Sequence, residues 1–410
     1  MMSKLLIIGF VWPEPKSSAA GIRMLQLIHV FLDMAYEITF ASACGKTNNA
    51  FDLSDLGIAV KDIQINDSSF DVFLNAFKPN MVLFDRFMSE EQFGWRVAEQ
   101  CPYALRVLDT EDLHCLRKGR YQALKARKTF NDYYLFNDYA KREIASIYRC
   151  DLTLMISEVE MQILKDRFKI SEHLLCYVPF MMPIINKETC QHLPNFEARE
   201  HFVTIGNFMH PPNYDAVLFL KQKIWPLIRK HLPKAELHIY GAYISQKAQQ
   251  LHNKNEGFFV KGFAKDIDEV MRKAKVCFAY LRFGAGLKGK LIDAMQNGVP
   301  CTMSSIAAEG MFGSLEPNGI IEDELEAFVA KTVALYNDEL LWNIAQQNGF
   351  RVLEERFESN QHKAVLQNTV LAIFQNLERH RLDNFIGGML MYHTMQSTKF
   401  MSRWIEEKKK

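Results

Sequence analysis

Residues 276–311 read VCFAYLRFGAGLKGKLIDAMQNGVPCTMSSIAAEGM, and the rest of the chain is best read outward from them. Val276–Leu281 is an apolar run of strand length, which Arg282–Gly286 breaks with two glycines. Lys288, Gly289 and Lys290 open a helix. Its Leu291, Ile292 and Met295 form an apolar face, and Lys290, Asp293 and Asn297 share the opposite one. Val299–Ser304 reads as the next strand and Glu309-Gly310 as the turn beyond it. A helix N-terminus with free N–H groups, two lysines and Arg282 suits a polyanionic group. Asp293, about one turn further in, is placed to hydrogen-bond a sugar diol. The stretch therefore predicts a site for a nucleoside diphosphate that carries a sugar.

Strand and helix signals alternate on both sides of it. Strands are expected over Lys4–Phe10, Glu37–Ala43, Ile58–Ile65, Met81–Phe84, Tyr103–Asp109, Asp151–Ser157 and Leu174–Pro179. Helices are expected over Gly21–Met34, Ser68–Phe77 and Ser89–Gln100, from Leu116 to Lys128 and onward, and from Glu158. Pro183–Glu200 is irregular and polar and reads as a linker. The alternation then resumes: strands at His201–Gly206, Ala235–Gly241 and Phe258–Phe263, helices at Asn213–His231, Ser245–Asn255 and Asp266–Ala274. Alternation of this length predicts two parallel sheets, each covered on both faces, with ligands at the carboxyl ends of the strands. No G-x-G-x-x-G follows the first strand, which argues against a nicotinamide or flavin site there. From Glu322 the chain reads as mostly helical.

Composition narrows the class further. The chain has 410 residues, a net charge of +1 and 24% charged residues, the profile of an ordinary folded chain and not of a dedicated nucleic-acid binder. Eight cysteines are scattered with no C-x-x-C pair, which predicts reduced thiols and a cytoplasmic location. Leu5–Trp12 is too short to span a bilayer and reads as the first strand. No transmembrane segment is expected.

Four more segments carry candidate chemistry. Gly206 and Asn207 end one strand of the second half, and Gly262-Phe263 end another. Trp12–Gly21 (WPEPKSSAAG) joins the first strand to its helix, with Gly21 small enough for close approach and Arg23 within reach. Asp109, Glu111, Asp112 and His114 follow a strand directly; imidazole and carboxylate can orient or deprotonate a sugar hydroxyl. They do not have metal-ligand spacing. Arg117–Lys128 (RKGRYQALKARK) has six basic residues and no acidic one, which on a helix would suit anionic lipid headgroups.

At this point a family resemblance becomes visible. FGAGLKGKLIDAMQNGVP, from Phe283, resembles the donor-binding signature of glycosyltransferase family 4 (group 1), in the branch with G-x-G-h-K-x-K, where h is apolar. IGNFMHPPNYDAVLFL from Ile205, IWPLIRKHLPKAELHIYG from Ile224 and VLDTEDLHCLR from Val107 are similar to further parts of that family. The resemblance implies an α/β GT-B fold: two Rossmann-like doubly wound domains facing a central cleft, with C-terminal helices crossing back to the first. It implies an acceptor-binding domain over residues 1–185, completed by about 375–410, and a donor-binding domain over 201–370. It implies a sugar transfer, with retention of configuration, from a nucleoside diphosphate sugar to a glycan or lipid-linked acceptor, in bacterial-type glycan or glycolipid assembly.

Under that resemblance Arg282, Lys288 and Lys290 would neutralise the diphosphate, with Asp112 and His114 at the reacting centre. Gly21, Gly206, Asn207, Phe263, Gly284, Gly286, Asp293, Glu309 and Gly310 would hold the donor. No metal or other cofactor is expected, and contact with the inner membrane face would run through Arg117–Lys128. The family's E-x7-E pair would place carboxylates at 285 and 293; this chain has Ala285 and Asp293. A nucleotide-sugar 2-epimerase and a non-catalytic nucleotide-sugar-binding protein are the competing readings.

Overall fold

The computed structural model describes residues 3–184 and 192–409. The first sheet consists of β1 (Lys4–Gly9), β2 (Glu37–Ser42), β3 (Ala59–Asp62), β4 (Met81–Asp85), β5 (Leu105–Asp109), β6 (Leu152–Met155) and β7 (Leu175–Tyr177). The second consists of β8 (Phe202–Ile205), β9 (Leu237–Tyr240), β10 (Phe258–Gly262), β11 (Val276–Ala279), β12 (Cys301–Met303) and β13 (Gly319–Ile321). Strand orders are β3-β2-β1-β4-β5-β6-β7 and β10-β9-β8-β11-β12-β13, with parallel pairing throughout. The central strands are apolar on both faces because helices cover both sides of each sheet. In each sheet the order reverses at one point, between β1 and β4 and between β8 and β11. A crevice opens there at the carboxyl ends.

The chain crosses between the two domains twice, and the crossings pair. The Met182 N–H donates to the Phe357 carbonyl at 2.7 Å, and the Ser359 N–H donates to the Met182 carbonyl at 2.9 Å. The helix Ser359–Gln375 then buries Leu366, Val370 and Ile373 in the core formed by β1 and the helix Ala19–Asp33. The return to the first domain thus begins ahead of residue 375, where the sequence reading placed it. The last helix, Phe385–Lys409, lies against the helices Arg86–Gln100 and Asp138–Arg149. Of the linker read at Pro183–Glu200, residues 185–191 lie outside the described residues.

Several local readings change. The helix expected over Asn213–His231 is Pro211–Phe219 and Trp225–His231, separated by a π-turn at Leu220–Ile224. Pro226 has no N–H to give to the turn before it, so the ladder widens. The helix expected over Ser245–Asn255 shrinks to Gln246–Gln249. The basic helix runs His114–Lys125 and stops before Arg127, whose φ is +54°. β13 is only three residues long and gives no periodic signal.

Arg23 does not reach the cleft. It is fully buried, with its guanidinium on Asp109 (Nη2–Oδ1 2.7 Å, Nε–Oδ1 3.0 Å) and on the Val178 carbonyl. This clamp fastens the first helix to the ends of β5 and β7. Arg23→Ala would leave Asp109 buried beside Asp85 and Glu111 without its partner. The expected cost is about 3–5 kcal/mol in urea unfolding; a loss under ~1 kcal/mol would remove the clamp from the stability argument.

Candidate functional site

The two crevices face each other and merge into one cavity of 1030 Å³. Three buried polar atoms on its walls have no hydrogen-bond partner among the described residues: Ser17 Oγ, Asp85 Oδ1 and His210 Nε2. Buried polar atoms are normally paired, so three such atoms on one cavity mark a surface built for a polar ligand. Two helix N-termini also converge on it. Ser18 caps the helix Ala19–Asp33 of the first domain, accepting from the Gly21 N–H at 3.1 Å. The helix Gly289–Gln296 of the second domain begins directly opposite: a Cβ on Gly289 would sit 2.6 Å from that of Ala19.

The glycine loop forms the second-domain wall. Gly286 has φ +65°, a left-handed conformation that a side chain disfavours. The Lys288 ammonium is buried and donates to the Ala285 carbonyl at 3.0 Å and to the Gly286 carbonyl. Lys290 Nζ donates to Asn213 Oδ1 at 3.2 Å. Among the described residues neither lysine has a carboxylate within ion-pair distance. Burial lowers the Lys288 pKa despite the attraction of Glu160 and Glu309, and lowers that of Lys290 to about 8. Asp293 lines the same wall, its pKa raised to about 7 by burial and by Asp268. Gly206, Asn207, Gly284 and the exposed ring of Phe263 complete it.

The first-domain wall is carboxylate-rich. Asp85, Arg86, Glu111, Asp112 and His114 line the cavity beside Gly21. Arg86 and Glu111 hold φ of +68° and +63°, strained values for non-glycine residues, at the ends of adjacent strands. Burial and the neighbouring Asp109 raise the Glu111 pKa. Asp112 behaves oppositely: burial opposes its ionisation, but Arg117 and His114 outweigh it and hold the pKa low. His114 is kept neutral by burial, its pKa lowered to about 3, although its Nε2 lies 3.4 Å from Asp112 Oδ1.

The glycine loop also docks the domains together. The Gly286 N–H donates to Glu160 Oε1 at 2.5 Å, Ala285 packs into the first-domain core, and the Phe283 ring lies 4.8 Å from that of Tyr121. Arg120 donates to the Gly284 carbonyl at 2.9 Å and to both Glu309 oxygens at 2.9 and 2.7 Å.

Eleven of the residues picked from sequence therefore share one cavity: Gly21, Asp112, His114, Gly206, Asn207, Phe263, Gly284, Gly286, Lys288, Lys290 and Asp293. Three do not line it. Arg282 is turned away from the cavity, paired with Asp215 at 2.5 and 2.9 Å over the Phe219 ring. Glu309 is held by Arg120, and the Gly310 carbonyl accepts from Arg356. The basic segment Arg117–Lys128 is also partly committed, since Arg117 and Arg120 bond Asp112 and Glu309.

Sequence reasoning passed over Asp85, Arg86, Glu160 and His210. His210 stands just before Pro211-Pro212 at the start of a helix, five residues past the end of β8, a position that could have flagged it. Its pKa is lowered to about 4 by burial and by Arg117. Among the described residues no group of three or more His, Cys, Asp or Glu side chains is arranged to hold a metal ion.

Two facing doubly wound domains with returning C-terminal helices make this a GT-B glycosyltransferase fold. More particularly, residues 199–338, the second domain, match the family model for glycosyl transferases group 1. Solved structures agree on the fold. Sucrose-phosphate synthase of Thermosynechococcus elongatus aligns at TM-score 0.67 and 15% identity, over 91% of this chain and 100% of that one. Anabaena HepE, solved with UDP and glucose, aligns at TM-score 0.67 and 11% identity, over 90% and 99%. A mutant S. aureus TarM, solved with fondaparinux, alpha-GlcNAc-glycerol and UDP, aligns at TM-score 0.56 and 14% identity over 73% of this chain. There the chain spans only 57% of the length of its neighbour. A sequence search of curated proteins finds no match.

A Cβ at Gly286 would lie 2.8 Å from the Asp112 Cβ, whereas one at Gly388 meets nothing within 4 Å. Gly286→Ala is therefore expected to part the domains and raise the radius of gyration in solution scattering, with Gly388→Ala unchanged. Identical scattering from both variants would show that the loop does not set the closure.

Proposed function

We propose that this protein transfers a sugar from a nucleoside diphosphate sugar to an acceptor hydroxyl, in the manner of the family 4 branch its glycine loop resembles. The observation that carries the proposal is the pair of ammonium groups, buried Lys288 and half-buried Lys290, at a helix N-terminus facing the cleft without a carboxylate partner. An uncompensated buried cation is costly, and a diphosphate supplies the missing charge. As the sugar–phosphate bond breaks, negative charge grows on the leaving diphosphate. Preorganised cations and helix N–H groups stabilise that change more than they stabilise the ground state.

Asp293, one turn along the helix, would hold the ribose hydroxyls, and Phe263 with its neighbours would meet the base. The first domain would present the acceptor, a glycan or a lipid-linked sugar, with Asp112 and neutral His114 beside the reacting carbon. The charge expected of Arg282 is left to Lys288 and Lys290, and His210, neutral and facing the cavity, offers a hydrogen bond only. We further propose that transfer retains configuration and needs no divalent metal, the lysines supplying the charge a metal would otherwise bring. Activity that survives chelator treatment would support this. The solved neighbours with UDP bound lend the donor class weight by analogy of fold.

The competing 2-epimerase reading draws on Glu111 and Asp112, carboxylates within the same cleft. Incubation with donor alone separates the two: an epimerase converts it, whereas a transferase at most hydrolyses it slowly.

Lys288→Ala is expected to lower transfer by about 100-fold or more while circular dichroism and melting stay near wild type. Near-normal turnover would reject the assignment. UDP affinity is expected to fall as pH drops below about 7, where Asp293 takes up a proton, and to weaken as pH rises through about 8, where Lys288 and Lys290 lose theirs. Stability of the unliganded protein should move the other way. Between about 8 and 10.5 the unfolded chain binds the Lys290 proton and the folded one does not, so this residue's contribution rises with pH. Calorimetry in buffers of different ionisation enthalpy should show proton uptake on UDP binding at alkaline pH.

A further inference from the structure

The last helix, Phe385–Lys409, is turned inside out relative to an ordinary surface helix. Its buried residues are the small ones, Gly387 and Ser402. Gly387 sits against the Tyr148 backbone, leaving no room for a Cβ. The large side chains face outward: Phe385 is 79% exposed, Tyr392 64%, Phe400 60% and Trp404 54%, with Met389 in the same row. At 100° per residue these positions fall on one side of the helix, a stripe about 29 Å long at 1.5 Å per residue, with His393 and Gln396 between Tyr392 and Phe400. Exposed apolar surface of that extent marks an interaction site.

Charge and chemistry indicate what covers it. No acidic residue occurs from Asn384 to Ile405. The two charged residues in that span are both basic: Lys399 is paired with Glu99, and Arg403 with Asp71 beneath the helix. At the far end Glu406 is turned inward onto Arg96 and Arg403, while Glu407, Lys408 and Lys409 are exposed and together net basic, with the Lys408 ammonium 3.5 Å from the centre of the Trp404 ring. Tryptophan, tyrosine and lysine at the margins of an apolar stripe are the composition that settles at the headgroup level of a bilayer. Surfaces beside the helix extend the apolar area. Val72 follows Asp71, the partner of Arg403, and Tyr103 follows Pro102, whose carbonyl accepts from Arg381; both side chains are largely exposed. No helix among the described residues is long and apolar enough to cross a membrane, so this one would lie along the surface.

We infer that the outward stripe of Phe385–Lys409 seats the first domain on an anionic lipid surface. The basic segment Arg117–Lys128, partly tied up in domain contacts, is not the main anchor.

Four of the five tryptophans, Trp12, Trp95, Trp225 and Trp342, are at most 3% exposed, so Trp404 reports on the stripe. Full-length protein mixed with phosphatidylglycerol–phosphatidylethanolamine vesicles should show a blue-shifted tryptophan emission and quenching by brominated lipid. Trp404→Phe should lose the signal yet still float with the vesicles. The double variant Phe385→Gln, Phe400→Gln should bind vesicles about tenfold or more weakly with unchanged melting. The inference fails if wild-type protein neither shifts nor floats, or if it binds phosphatidylcholine vesicles as tightly as anionic ones. It also fails if the double variant merely dissolves a dimer that never bound vesicles, which would assign the stripe to a second copy of this chain.

Discussion

Burying two ammonium groups between the carboxyl edges of two parallel sheets is the constraint to which the rest of the molecule answers. Lys288 and Lys290 stand at a helix start, where the backbone already carries partial positive charge, and their direct hydrogen-bond partners are only carbonyl and amide oxygens. Such an arrangement is unfavourable unless negative charge is close by. Part of it comes from Glu160 and Asp112 of the first domain and Glu309 of the second, which draw the Lys288 pKa back up against burial. The remainder is left for a ligand. The fold thus sets Lys288, Lys290 and Asp293 on one wall of the cavity against Asp85, Glu111 and Asp112, with Arg86, on the other.

That division gives a physical account of Ala285, where the family pattern would place a carboxylate. The side chain is 7% exposed and packs into the first-domain core, one residue before an N–H that Glu160 accepts. A carboxylate there would sit beside Glu160, itself already pushed toward its neutral form by burial and by Asp112. Like charges so placed destabilise one another, and a methyl group does not. A small apolar residue at 285 lets the loop dock on the first domain, and Glu111 and Asp112 of that domain put carboxylates into the cavity instead.

The fold was legible because alternation of apolar strand runs with helical runs is a local signal, repeated along both halves. The glycine loop was legible for the same reason: Gly284, Gly286, Lys288, Lys290 and Asp293 are neighbours in sequence, and one turn of helix sets their spacing. What stayed hidden depends on partners far away in the chain. Arg282 is withdrawn from the cavity by Asp215, 67 residues earlier, and Glu309 by Arg120, 189 residues earlier. Arg23 was misplaced because nothing local shows that Asp109 ends a neighbouring strand with its carboxylate facing inward. Pro226 marked a break that the reading of one helix over Asn213–His231 ignored, and the three-residue β13 was not readable at all.

The C-terminal helices join these themes. Had the chain ended with the helix Glu339–Phe357, the first domain would lack Leu366, Val370 and Ile373 from its core, and the crossing at Met182 would have no strand to pair with. The returning segment therefore brings both connections side by side, joined through Met182, Phe357 and Ser359. Arg381 extends the attachment by bonding Asp151 at 2.8 Å and the Ala104 carbonyl at 2.8 Å, next to the start of β5. Beyond that point the helix is held by small residues and a few ion pairs, with its large side chains turned away. Its apolar face adds nothing to the core, so selection for the fold alone does not account for Phe385, Phe400 and Trp404, and a surface outside the molecule does.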